Sequence, residues 1–258
     1  MTIGRLFFAL FKAIPAGIQH GGWRGGYLSS CVYLLNRYPF KVSAGLLGCL
    51  ATYAEVENYV DNIILAQLRD DEIEAHLAAT DEPVVLDVGV NVGITVRWWK
   101  TLNPATTVVG VDMMQEALDY VTNSLKVGGF SGGWVPVCCA VGAKPGNTVS
   151  VLIDDPLHGQ TSLYAKSGRE KREVSTGTLD EIMASHSGRK HIDLLKLDIE
   201  GAAGDALVGA GSILKHTKYV IVETHNRSET LHCSRLLANA GMAAYRASGR
   251  MLWFTREP

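Results

Sequence analysis

Residues 84–93 read VVLDVGVNVG, and this stretch decides the fold. Val84, Val85, Leu86 and Val88, interrupted only by Asp87, have the composition of a strand buried on both faces in a parallel sheet. Gly89 and Gly93 then allow a tight turn at which backbone can approach a ligand closely. Residues 94–102 have helical length and enough apolar and aromatic side chains to face a sheet, and Asn103-Pro104 closes them. Strand, glycine turn and helix N-terminus in this order predict the cofactor corner of a doubly wound α/β fold.

The chain around this corner is long enough, at 258 residues, for one large domain over 81–258 preceded by a helical extension over 1–80. Hydrophobic residues make up 47% and charged residues 19%, and the formal net charge is −2. That balance offers no broad basic field and excludes nucleic acid as the main partner. The five cysteines, Cys31, Cys49, Cys138, Cys139 and Cys233, form no CxxC pair, so they read as reduced thiols of a cytoplasmic protein.

In the extension, residues 1–18 are apolar but are broken by Arg5, Lys12 and Pro15 and fall short of the roughly 20 residues of a membrane span. Lys12 also argues against a secretory signal. The stretch is expected to be an amphipathic helix packed on the domain; the second reading is a membrane-surface anchor, which would make the protein membrane-peripheral. Residues 17–26, GIQHGGWRGG, follow no strand and predict a flexible loop, and the apolar run 42–54 is too short to span. Residues 58–79 predict a helix with Ile63, Ile64, Ala66, Leu68, Ile73 and Leu77 on its buried stripe, covering the substrate side.

Beyond the opening helix, residues 107–111 form a second strand that ends in Asp112, 19 residues past Gly93. A carboxylate at that place accepts hydrogen bonds from both hydroxyls of an adenosine ribose. Met113 and Met114 beside it suit either an adenine ring or the core. A helix is expected over 115–127, strands over 134–141, 147–153 and 173–176, and a polar connection over 154–172. The basic run Lys166, Arg169, Lys171 and Arg172 in that connection reads as a solvated face or an anion contact. Residues 191–199 predict a further core strand, 202–214 a helix, 219–222 a strand ending in Glu223-Thr224-His225, 228–240 a helix, and 243–255 a closing hairpin.

The turn pattern is D-x-G-x-N-x-G, with Asp87, Gly89, Asn91 and Gly93, and it lacks the third glycine of a pyrophosphate-binding turn. A nicotinamide-dependent oxidoreductase becomes the weaker reading, and S-adenosylmethionine, which carries an adenosine without phosphates, the stronger. Asp87 could accept from its ammonium group, while Asn91 tolerates an unusual turn conformation and offers an amide.

With DVGVNVG at 87–93, GQTSL at 159–163, TLD at 178–180, IDLLKLDIEG at 192–201 and VETH at 222–225, the chain resembles the FkbM family of S-adenosylmethionine-dependent methyltransferases. The resemblance implies a class I methyltransferase (Rossmann-like) α/β fold with a mostly parallel seven-stranded sheet, and methylation of an oxygen on a sugar, glycan or natural-product small molecule. It departs from the family at two positions. Asp112-Met113 stands where Glu-Pro is common, which keeps the ribose acid, and Ala203 stands where an acid is common, which removes a charge expected near the reaction centre. A noncatalytic S-adenosylmethionine-binding scaffold therefore stays open as an alternative.

Methyl transfer from a sulfonium is an in-line displacement, so the protein aligns the acceptor and removes a hydroxyl proton. Asp198, Glu200, Glu223 and His225 fall at strand carboxyl ends, where the crevice of such a fold lies. His225 is the first choice of base, since a free imidazole titrates at about 6.5 and a carboxylate would need its basicity raised by burial or a neighbouring charge. The same four groups would suit a hard cation such as Mg²⁺ if they converged, but spacing alone assigns no metal.

Overall fold

The computed structural model describes residues 3–35, 53–130, 132–153, 170–186 and 191–256. The strands, in chain order, are β1 (Val84–Val88), β2 (Thr107–Asp112), β3 (Trp134–Cys138), β4 (Ala140–Val141), β5 (Thr148–Ile153), β6 (Glu170–Gly177), β7 (Ile192–Leu197), β8 (Thr217–Glu223), β9 (Ala243–Ser248) and β10 (Met251–Thr255). Seven of them form one sheet in the order β3-β2-β1-β7-β8-β10-β9. All pairs are parallel except those of β10, which runs antiparallel to β8 and β9. Chain order runs outward from β1 to β3 and returns on the other side at β7. The switch point, and hence the crevice, lies between the carboxyl ends of β1 and β7. β4, β6 and β5 make a small second sheet.

The nine α-helices among the described residues are α1 (Ile3–Phe8), α2 (Ile14–Ser29), α3 (Tyr53–Tyr59), α4 (Asp71–Ala79), α5 (Ile94–Leu102), α6 (Gln115–Gly128), α7 (Leu179–His186), α8 (Ala203–Val208) and α9 (Arg227–Asn239). Strand side chains alternate between the two faces of the sheet. On one face Val84, Leu86, Val88, Leu195, Leu197, Val220 and Val222 pack against residues of α7, α8 and α9 such as Leu179, Leu207 and Leu237. On the other, Val85, Leu194, Tyr219 and Ile221 meet Leu77, Trp99 and Val121 of α4, α5 and α6. By the same alternation Asp87 and Lys196, which face each other in the β1–β7 register, belong to this second face.

Several expected elements end early for local reasons. The strand predicted over 134–141 stops at Cys138, and Ala140–Val141 pairs instead with β6 in the second sheet. The helix predicted over 202–214 ends at Val208, and Gly209 after it is non-helical (φ −80°, ψ 9°) and packed so closely that a Cβ would stand 2.4 Å from the Gly142 carbonyl oxygen. A 3₁₀ turn over Ile213–His216 follows, its start capped by the Asp180 carboxylate, which accepts from the amides of Ser212 and Ile213. The helix predicted over 58–79 is two helices. A π-helical turn over Val60–Ile64 leads to Ala66, which has a left-handed φ of 59°, and Asp70 then caps α4 by accepting from the amides of Glu72 and Ile73. Ile63, Ile64, Leu68, Ile73 and Leu77 are buried as expected, whereas Ala66 marks the break.

The glycine-rich stretch 17–26 is helical, contrary to the expected loop: it lies within α2, which bends at Gly22 (φ 59°). Glycine here serves backbone contact between helical limbs instead of loop freedom. The extension joins the α/β part through a shared core in which Leu28, Val56 and Ile63 meet Val92 and Ile94. Beside it, the fully buried Arg97 of α5 donates to Glu55 of α3 at 2.5 Å, and the Tyr120 hydroxyl donates to the same carboxylate at 2.6 Å. The apolar run 42–54 lies almost entirely outside the described residues, as does the GQTSL segment.

Candidate functional site

The turn between β1 and α5 takes three left-handed residues: Gly89 (φ 81°), Asn91 (φ 50°) and Gly93 (φ 71°). Asparagine is among the side chains that accept this conformation most readily. Two of these positions admit no side chain. A Cβ on Gly89 would stand 1.9 Å from the Asp198 carbonyl oxygen, and one on Gly93 would meet Val121 at 2.5 Å. The bare backbone at Gly89 thus brings the β1 turn against the end of β7, closing the floor of the crevice.

Asp112 faces this turn from the tip of β2. Its two carboxylate oxygens accept one backbone amide each, from Asn91 and Met114, both at 2.9 Å. Burial pushes this carboxyl up, and the two amide bonds oppose the shift. A carboxylate has about four lone-pair sites, so two remain for a diol, which is the donor set a ribose presents. The residues present therefore fit the adenosine end of S-adenosylmethionine. The two methionines divide: Met114 is buried in the core, and Met113 is half-buried at the strand tip.

Asp87 is fully enclosed. Its carboxylate accepts from the Thr95 hydroxyl at 2.6 Å, the Trp99 indole at 3.3 Å and the Lys196 ammonium at 3.0 Å. Where the sequence suggested a contact with a ligand ammonium, the structure shows protein donors, and Asp87 instead anchors α5 and Lys196. Lys196 in turn directs its ammonium to Asp87, to the Gly89 carbonyl at 2.9 Å and to Asp198 at 3.6 Å, three acceptors for three protons. Burial would lower its pKa, but the charges of Asp87 and Asp198 outweigh that and raise it.

Asp198, Glu200, Glu223 and His225 do converge. Burial pushes the Asp198 carboxyl up, yet the Lys196 charge, a hydrogen bond from Glu223 and the His225 charge together hold it below the usual carboxylate range. Glu223 moves the opposite way. Burial, the hydrogen bond with Asp198 and the charges of Asp198 and Glu200 push it up to about 8. One proton is therefore shared between two carboxyl groups with Glu223 as its holder. Glu200 sits in a left-handed conformation (φ 44°), a strained backbone of the kind that clusters at functional turns, and burial raises its pKa as well.

His225 touches this group from its rim. Its Nδ1 lies 3.5 Å from Glu200 and 3.4 Å from an Arg250 guanidinium nitrogen, while its Nε2 is buried with no partner among the described residues. A cavity of about 440 Å³ opens beside the carboxyl pair, lined by Asp198, Glu223, Arg250, Asn62 and Gln67 among others. Arg250, Asn62 and Gln67 carried no motif. Arg250 arrives because β10 is antiparallel, which sets Met251 opposite Glu223, and the two amide side chains arrive because residues 58–68 cross the mouth of the crevice. Among the described residues, no group of three His, Cys, Asp or Glu is placed to hold a metal ion.

Three other sequence features resolve into packing. Ala203 is 1% exposed within the apolar core, so the position where a charge was expected near the reaction centre faces away from it. Thr178 forms a reciprocal cap with Glu181 at the start of α7, and Asp180 caps the turn after α8, which accounts for TLD. Of the basic run, Arg172 pairs with Glu116 and Glu170, and Lys171 with Glu173, a solvated face; Lys166 and Arg169 lie outside the described residues.

The model of the methyltransferase FkbM domain matches residues 87–241. Among solved structures, the chain is similar to magnesium protoporphyrin IX methyltransferase from Synechocystis PCC 6803 with bound SAM, at 12% identity over 99% of this chain and 96% of that one, with a TM-score of 0.45. It is also similar to a SAM-dependent methyltransferase from Aquifex aeolicus, at 12% identity over 80% of this chain and 100% of that one, with a TM-score of 0.43. A precorrin-6y C5,15-methyltransferase from Geobacter metallireducens GS-15 shares 9% identity over 71% of this chain and 83% of that one, with a TM-score of 0.42. Among curated proteins no match is found.

Proposed function

This chain belongs to the methyltransferase FkbM family, and from that premise we propose that it methylates a hydroxyl oxygen of a sugar, glycan or natural-product acceptor bound in the cavity beside Asp198 and Glu223. Its methyl donor is S-adenosylmethionine, which supplies an electrophilic methyl group on a sulfonium. Asp112, the half-buried Met113 and the backbone of Gly89, Asn91 and Gly93 hold the donor at the β1–β2 end of the crevice.

The observation that carries the reading is the carboxyl pair. A hydroxyl acceptor must lose a proton as the new carbon–oxygen bond forms, and a base works best when its pKa lies near the operating pH. An ordinary carboxylate is too weak for this, but Glu223 is pushed up to about 8. Raised basicity, the condition that made a carboxylate the second choice in the sequence, favours Glu223 over His225 as the base: its ionised fraction, which grows as pH rises through about 8, takes the hydroxyl proton. Asp198, held ionised by Lys196, keeps the Glu223 proton site basic, and Arg250 and Asn62 at the cavity wall orient the acceptor. His225, between Glu200 and Arg250, positions those two side chains.

Incubation with isotopically labelled S-adenosylmethionine and a panel of hydroxylated acceptors tests both parts. Glu223→Gln is expected to lower turnover by about 10²–10⁴-fold, the range general base catalysis supplies, while His225→Gln costs about tenfold or less. A label found on nitrogen or carbon, or loss of turnover with His225→Gln but not with Glu223→Gln, would overturn the assignment.

A further inference from the structure

Residues 3–35 form a helical unit whose first part, up to Trp23, is packed inside out. Its contact seam is made of small residues: Ala9 and Ala13 are fully buried, and a Cβ on Gly25 would stand 2.1 Å from the Gly17 carbonyl oxygen, so the limbs touch backbone to backbone. The large side chains point outward. Ile3, Phe7, Phe11, Ile18 and Trp23 are between 54% and 77% exposed, and the Phe7 and Phe11 rings stack on each other with centroids 5.3 Å apart. A helix packed on a domain in water turns such residues to the core. Small residues at the seam with large apolar residues outside is how helices associate when their surroundings are lipid.

Charge names the occupant of this face. Residues 3–35 contain Arg5, Lys12 and Arg24 and no Asp or Glu, a formal +3, whereas the rest of the chain carries −5. Two copies of the chain meeting through this region would bring like charges together, while an anionic leaflet attracts it. Lys12 is exposed among the apolar residues, and the Arg24 guanidinium lies 5.5 Å from the Trp23 ring centroid, an aromatic-cationic pair suited to the headgroup level. No helix among the described residues is long and apolar enough to cross a membrane, so the face would lie along a bilayer.

We propose that residues 3–29 dock this chain on the surface of an anionic lipid bilayer, with Phe7, Phe11 and Trp23 entering the boundary between headgroups and acyl chains and Lys12 and Arg24 meeting the lipid phosphates. The inner side of the same unit carries Leu28 and Val32, which share a core with Val92 and Ile94 of the cofactor turn. Docking therefore places the catalytic crevice at a fixed height above the lipid.

Flotation of the full-length protein with vesicles of phosphatidylcholine, alone or mixed with phosphatidylglycerol, tests this. The protein is expected to float with the anionic vesicles only and to be released by high salt, with a blue shift of tryptophan emission that Trp23→Ser removes. Phe7→Ser/Phe11→Ser should abolish flotation while keeping the thermal transition of the parent. The charge reversal Lys12→Glu/Arg24→Glu, at an exposed and a half-buried position, should weaken it at least about tenfold. Val208→Ser, at an exposed apolar residue of α8, should leave it unchanged. Absence of flotation with either vesicle, equal flotation of the double Phe variant, or a dimer that this variant splits into monomers would overturn the proposal.

Discussion

The two faces of the central sheet are built from alternate residues of the same strands and differ in how much charge they bury at their centre. The face toward α7, α8 and α9 packs apolar side chains, from Val84 and Leu86 to Leu197 and Val222, with Asp193 at the start of β7 and Glu229 of α9 as its buried charges. The face toward α4, α5 and α6 buries Asp87, Lys196, Arg97 and Lys100. A charge so placed survives only with partners, and each of these has them: Asp87 with Lys196, Arg97 with Glu55, Lys100 with the carbonyls of Thr106 and Gly132. Lys196 also carries the pairing up to Asp198 at the cavity. The cavity end of the crevice is thus continuous with a buried charge line on one face, while the other face is mainly apolar.

The largest effect is expected at Lys196. Lys196→Met leaves Asp87 buried without its counter-ion and should cost about 3–5 kcal/mol in urea unfolding. It should also raise the Asp198 and Glu223 carboxyls, since the Lys196 charge lowers both, so activity near neutral pH falls even where the variant is fully folded. On the opposite face Leu195→Ala should cost a comparable amount, about 2–5 kcal/mol, by leaving a cavity. There the folded fraction should keep parental affinity for S-adenosylmethionine in calorimetry, and a large loss of affinity would mean that the two faces are not separable.

Asp112→Ala is expected to have a smaller energetic effect but a more specific one. Removing a charged hydrogen-bond acceptor costs about 1.5–3 kcal/mol of binding, roughly 10- to 100-fold in affinity for S-adenosylmethionine. Unchanged affinity would remove the ribose contact from the account.

The mildest test is a pH series. The Glu223 carboxyl binds its proton more tightly folded, at about 8, than at its ordinary 4.5. Its contribution to stability is therefore full below about 4.5, declines as pH rises, and is lost through about 8. Glu223→Gln should flatten the stability profile between those limits, and the same variant should remove any rise of kcat/KM with an apparent pKa in that region. An unchanged slope would place the shared proton elsewhere.

Much of this was legible in the chain itself. The β1 strand, α5 and the end of β2 at Asp112 lie where apolar runs, glycines and Asn-Pro placed them, because local sterics and a continuous apolar run leave few other solutions. That Asp198, Glu200, Glu223 and His225 stand at or just past the ends of β7 and β8 was also readable, but their convergence was not, because spacing alone does not show it. Less legible were Arg250, Asn62 and Gln67, which reach the cavity through an antiparallel return and a crossing segment that no local pattern announces. Stretch 17–26 misled for the same reason: its glycines look like a loop until the partner limb shows what they are packed against.

Local sequence alone was enough for the α/β class, the glycine turn, the acid at the tip of β2 and the donor, all properties of short segments with their own steric and hydrogen-bonding demands. Tertiary structure alone decided what each charge is for. Asp87 stands within β1 and Asp198 just past the end of β7, strands of similar composition, yet one is sealed against Lys196, Thr95 and Trp99 and the other opens on the cavity beside Glu223. The basicity of a carboxyl group depends on burial and on neighbours brought from elsewhere in the chain, and only the assembled sheet supplies both.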